Sequence, residues 1–128
     1  MYTNLKELIH PVTGIETVTF GDVYNNWNNS EIKYSALNVF CKGCTISDGS
    51  ITYDLILFVA DRLLEDNSNE ATIYDISVIQ LEAIIDNLDV IVNGRNYTFF
   101  TEKFADLVAG AFVEIEVTIP YSKPCNNL

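Results

Sequence analysis

Residues 55–60 read Leu-Ile-Leu-Phe-Val-Ala, inside a longer extended run from Ile51 to Leu64. A strand with water on one side alternates apolar and polar residues, whereas an unbroken apolar run needs cover on both faces. The run therefore predicts a central strand, paired on both edges and covered above and below. It is far shorter than the roughly 20 residues a membrane helix requires. Asp61 and Arg62 mark where the chain leaves the core.

Other segments supply partners for that strand. Glu16 to Asp22 alternates, with Val18 and Phe20 on one side, and Tyr34 to Cys41 alternates with Leu37, Val39 and Cys41 on one face. Lys42-Gly43-Cys44 and Ser47-Asp48-Gly49 carry turn chemistry. Residues 25–31, NNWNNSE, read as a polar loop around the single Trp. Residues 3–10 read as a short helix with Leu5, Leu8 and Ile9 on one face, stopped by Pro11. Asn93-Gly94 between Val90–Val92 and Arg95–Phe100 predicts a type I′ hairpin, because both turn positions need positive φ. Thr101 to Leu107 reads as a short helical turn, and Gly110 opens the last strand. In that strand Val113, Ile115, Val117 and Ile119 alternate with Glu114, Glu116, Thr118 and Pro120, giving one buried face and one acidic face. The tail YSKPCNNL, residues 121–128, reads as irregular.

One long helix is expected from about Glu70 to Leu88 or Asp89, started by Asn67 with Glu70 as a capping box or by Ser68. At 100° per residue, Asp75, Glu82, Asp86 and Asp89 share a narrow stripe. Apolar residues occupy almost all the rest, a wider arc than a surface helix needs. One flank can pack on the sheet, and the excess calls for a second partner. Tyr74, Val78, Leu81, Ile85 and Leu88 are the candidate subunit-interface residues, with Ile73, Ile76 and Ala83 towards the other flank. The expected fold is α+β: a mostly antiparallel mixed sheet of about five strands with one long helix packed on a face, in a single domain over residues 1–128.

Charge narrows function. The chain of 128 residues has 18 Asp plus Glu against 7 Lys plus Arg, a net charge of −11. A sequence-independent duplex binder needs a basic face, and an anionic membrane surface would repel this chain. The hydrophobic fraction of 48% excludes simple disorder. The first ten residues lack a basic start and a long apolar run, so Cys41, Cys44 and Cys125 are expected to be reduced cytosolic thiols. Cys41 and Cys44 have the spacing of a zinc knuckle or redox pair. Zinc needs two more ligands, and only Cys125 and His10 remain, far apart in sequence. A redox pair belongs at a helix N-terminus, whereas Gly43 and Thr45 suggest a strand-end turn. His10 has no nucleophile nearby, and Asp61 with Glu65 and Asp66, or Glu114 with Glu116, read as solvated carboxylates. No phosphate-binding glycine motif is present. The expectation is no enzyme, no cofactor and no metal site.

Gly49-Ser50-Ile51-Thr52-Tyr53, then Val59-Ala60-Asp61-Arg62-Leu63, then Asp66-Asn67-Ser68-Asn69-Glu70 occur in that order. Phe100-Thr101-Glu102-Lys103-Phe104, Gly110, Pro120-Tyr121 and Cys125 follow. Their order and spacing, over most of residues 18–125, resemble small structural proteins of tailed bacteriophages that infect Bacteroidetes, including the crAss-like phages. The resemblance implies a virion protein of the neck or tail, made in the bacterial host cytoplasm. Its implied role is a head–tail connector, ring or tail-completion subunit, similar in outline to the tail-terminator fold. The implied partners are identical subunits in a ring and neighbouring portal, ring or tail-hub proteins, with no membrane. DNA would pass without specific binding, and Glu114 and Glu116 are the lumen candidates, with Asp75, Glu82 and Asp86 the alternative acidic face. The rival readings are a small protein-binding adaptor using the helix and the Asn-rich loop, and a thiol- or metal-dependent protein using Cys41 and Cys44.

Overall fold

The structure is a computed structural model describing residues 14–29, 31–88, 91–93 and 95–120. In chain order its elements are β1 (Thr17–Phe20), α1 (Val23–Trp27), β2 (Ala36–Ser47), β3 (Ser50–Arg62), α2 (Glu70–Asp86), β4 (Ile91–Asn93), β5 (Tyr97–Lys103) and β6 (Leu107–Pro120). His10, Cys125, Tyr121, Asp89 and the helix expected over residues 3–10 lie outside the described residues.

The apolar run does build the central strand. β3 pairs antiparallel with β2 on one edge and β6 on the other. β1 lies parallel to the start of β2, so the sheet is mixed, and β4 and β5 both pair with the far edge of β6. The fold is α+β, six strands in five rows with α2 packed on one face. Asp48-Gly49 makes the β2–β3 turn, with Ser47 opposite Ser50 and Gly49 at φ +80°.

Val90 and Gly94 lie outside the described residues, but the flanking runs do not pair with each other as the expected Asn-Gly hairpin requires. Ile91 lies opposite Thr118 and Asn93 opposite Glu116, then Tyr97 lies opposite Val113 and Lys103 opposite Leu107. β4 and β5 thus run in the same direction along one edge, as a single interrupted row. The edge of β6 offers backbone partners to both runs, and that long-range pairing overrides the local turn signal. The stretch expected as a helical turn, Thr101 to Leu107, is instead the end of β5 and its turn into β6, where the Phe104 N–H donates to the Asp106 carbonyl at 2.9 Å.

Period-two alternation sorts β3 into two cores. Leu55, Leu57 and Val59 join Leu37 and Val39 of β2, Val113 and Val117 of β6, and Leu81, Ile84 and Ile85 of α2. On the opposite face Ala60 and Val108 pack with Val23, Trp27, Ile32 and Phe104. NNWNNSE is therefore no open loop: it overlaps α1, and Trp27 is completely buried, edge-on to Phe104 with centroids 5.4 Å apart. Asp22 caps α1 by accepting from the Tyr24 N–H. The Asn26 amide donates to the Phe20 carbonyl and to Oδ1 of buried Asn38, whose own amide donates to the Gly21 carbonyl, each at 2.9 Å. The asparagines that suggested a loop are the ties between α1 and the sheet.

α2 starts where expected but from a different cap. Asn69 is the N-cap, and its side chain reaches back to β3, accepting from the Leu64 N–H at 2.9 Å and donating to the Arg62 carbonyl at 3.0 Å. Asn67 takes a left-handed turn conformation, φ +57°, that asparagine tolerates. Gly110 permits close strand packing: a Cβ there would sit 2.8 Å from the Ala60 Cα and collide with the Val59 carbonyl oxygen.

Candidate functional site

The helix flank offered as a subunit interface is mostly core. Leu81 and Ile85 are fully buried and Leu88 is 7% exposed, all against the chain's own sheet. Val78 packs partly on the same core, and Tyr74 stacks on Phe99 with centroids 4.5 Å apart. The outward apolar residues of α2 are instead Ile76, 46% exposed, and Ile79, 67% exposed. The assignment shifts because Ser77 and Gln80 are buried, so the inward line of the helix passes through two polar positions. Of the other flank, Ile73 is core.

The acidic stripe of α2 is largely occupied. Arg95 Nη1 lies 3.0 Å from both Glu82 Oε2 and Asp86 Oδ1, and the Tyr97 hydroxyl donates to Glu82 Oε1. Burial first, and then the Glu82 carboxylate, push the Tyr97 phenol far above its ordinary value. Asp75 remains exposed.

The sheet face away from α2 carries a different acidic group. Glu114, Glu116 and Asp54 are exposed there, with Asp54 directly opposite Glu116 and Ile56 directly opposite Glu114. Like charges directly opposite one another destabilise a strand pair. Lys42 Nζ lies 3.8 Å from Glu114 Oε2, but both side chains are at least half exposed, so the pair offsets little. Next to the carboxylates the face turns aromatic: Phe58, Phe100 and Phe112 cluster with centroids 5.4–6.2 Å apart.

Both sides of the sheet end in unpaired backbone among the described residues. β1 covers only Ala36–Val39 of β2, leaving the outer edge beyond it open, and β5 pairs with β6 alone.

The two thiols do not sit in a turn. β2 continues through them, with Cys41 opposite Leu55, Gly43 opposite Asp54 and Cys44 opposite Tyr53, so Lys42 is an extra, bulged residue. Leu55 and Tyr53 face α2, and Cys41 and Cys44 therefore share that face. Both thiols are free, Cys41 half-buried and Cys44 exposed. They line a concavity of about 420 Å³ with Gly21, Phe40, Gly43 and Tyr53. Burial, chiefly, pushes the Cys41 thiol up.

Of the remaining carboxylates, Glu65 and Asp66 are exposed, and Asp61 Oδ1 accepts from the Arg62 N–H. Among the described residues no three His, Cys, Asp or Glu side chains converge as a metal site, and no helix is long and apolar enough to cross a membrane. The chain matches no protein-family model, and no curated protein matches it.

Proposed function

We propose that the chain is a structural subunit of a homo-oligomeric ring in the neck or tail of a tailed bacteriophage, arranged around the DNA channel. Its partners on this reading are identical subunits and the adjoining portal, ring or tail proteins. The observation that carries the reading is the pair of sheet edges left open among the described residues, one on β2 and one on β5. An edge left open invites another strand. Two different open edges on opposite sides of one sheet suit a head-to-tail contact, which closes into a ring when the rotation allows. Ile76 and Ile79 on the back of α2 add apolar surface for a neighbour. The exposed end of the face opposite α2, with Asp54, Glu114 and Glu116, supplies the negative potential that keeps phosphate from sticking.

The adaptor reading is weakened because Trp27, the natural anchor of its Asn-rich loop, is buried. The test is electron microscopy of concentrated purified chain, alone and mixed with the portal of the same phage, alongside protein analysis of purified particles. Closed rings and incorporation into particles are expected. A chain that stays monomeric in both preparations and is missing from particles refutes the proposal.

A further inference from the structure

We infer that Cys41 and Cys44 form a two-thiolate site for a soft monovalent metal ion, Cu(I). Residues three apart on a regular strand point to opposite faces. Here the extra residue Lys42 shifts the register, so Cys41 and Cys44 fall opposite Leu55 and Tyr53, two residues apart on β3 and on one face. Bulges commonly re-aim a side chain beside a functional site. This bulge makes a face-sharing dithiol from a spacing that would otherwise separate the thiols. The pair opens onto the concavity just past the end of β1, which buried Tyr53 of the same face also lines. Exposed Cys44 gives an ion access from solvent.

The donor set selects the ion. Thiolates are soft ligands and favour Cu(I) or zinc. Tetrahedral zinc requires four ligands, and no third His, Cys, Asp or Glu among the described residues groups with the two thiols. Cu(I) is satisfied by two sulfurs. On binding, each thiol releases its proton to solvent and two S–Cu bonds form. Copper stays Cu(I), so no oxidant or reductant takes part, and the occupied pair carries one net negative charge. The site is independent of ring assembly.

The experiment titrates Cu(I) into the reduced full chain without oxygen, in competition with bicinchoninate, whose coloured copper complex reports transfer. One Cu(I) per chain is expected for the native sequence and for Cys125→Ser. Cys41→Ser and Cys44→Ser should each weaken binding by roughly 100-fold or more, since one thiolate alone cannot complete the site. The decisive variant is Thr45→Cys on a Cys44→Ser background. It keeps the number of thiols but moves one to the opposite face, because position 45 lies opposite Thr52. Positions 44 and 45 are both exposed, so circular dichroism should report an unchanged fold while copper binding is lost. Retention of Cu(I) by that variant overturns the site. No copper transfer to the native chain, or equal loss in Cys125→Ser, overturns it as well.

Discussion

Trp27 has the largest side chain buried on the sheet face opposite α2, and Phe104 and Tyr34 meet it edge-on. Trp27→Ala should destabilise the chain by about 3–5 kcal/mol, read as a lower urea midpoint with an unchanged slope. A loop tryptophan offered to a partner would show almost no change. Tyr97 gives a second test, through pH. Its folded value is raised above the ordinary 10.0, so between those two values the folded state holds a proton that the unfolded state has lost. The contribution of the protonated Tyr97 phenol, set first by its burial and then by Glu82, is therefore fully present below about pH 10 and fades as pH rises through the folded value. Tyr24, Tyr34, Tyr53 and Tyr74 are raised in the same direction, so native stability should fall through this alkaline range. Tyr97→Phe should flatten the fall. Urea midpoints at pH 9 and pH 11 measure it, and an equal drop in both proteins would show that Tyr97 is not responsible.

At the scale of elements, two substitutions in α2 test the proposed assembly apart from folding. Ile79→Asp changes an outward residue, so the monomer should keep its stability to within about 0.5 kcal/mol while ring formation is lost. Leu81→Asp buries an unpaired carboxylate in the core and should unfold the chain. Light scattering and thermal melts on both variants decide it, and an Ile79→Asp chain that still assembles removes the helix back from the interface. The existence of this helix was legible from its apolar positions, as was β3 from its unbroken apolar run. Which flank of the helix faces inward was not, because Ser77 and Gln80 occupy buried positions and periodicity counts them as outward. The Asn-Gly signal failed for a related reason. Local turn propensity competes with long-range pairing, and the edge of β6 is invisible from residues 90–100 alone. The bulge at Lys42 was hidden because Lys-Gly reads equally as a turn. The alternation of β6 was legible because one face is buried throughout and the other is solvated.

For the whole molecule, the decisive question is what the exposed acidic end of the sheet face opposite α2 meets. Glu114 and Glu116 lie on it, opposite the buried line of Val113, Ile115 and Val117, as alternation predicts. Arg95 lies 3.0 Å from two carboxylates of the competing stripe on α2, whereas on this face Lys42 lies 3.8 Å from Glu114. Asp54 directly opposite Glu116 is unfavourable in the isolated chain, so on the proposed ring reading stability and function make opposite demands on this position. Glu116→Lys places a cation opposite Asp54 and should stabilise the monomer by roughly 0.2–1 kcal/mol in low salt. If the face lines the DNA channel, Glu114→Lys with Glu116→Lys should leave assembly intact but make the rings retain duplex DNA, because each added lysine releases counterions from phosphate. Native rings should let it pass. Gel retention at low and high salt, and DNA delivery by particles carrying the double variant, read the effect. Particles that deliver DNA at the native rate would remove this face from the channel. So would an assembled ring in which both side chains face outward or against a neighbour.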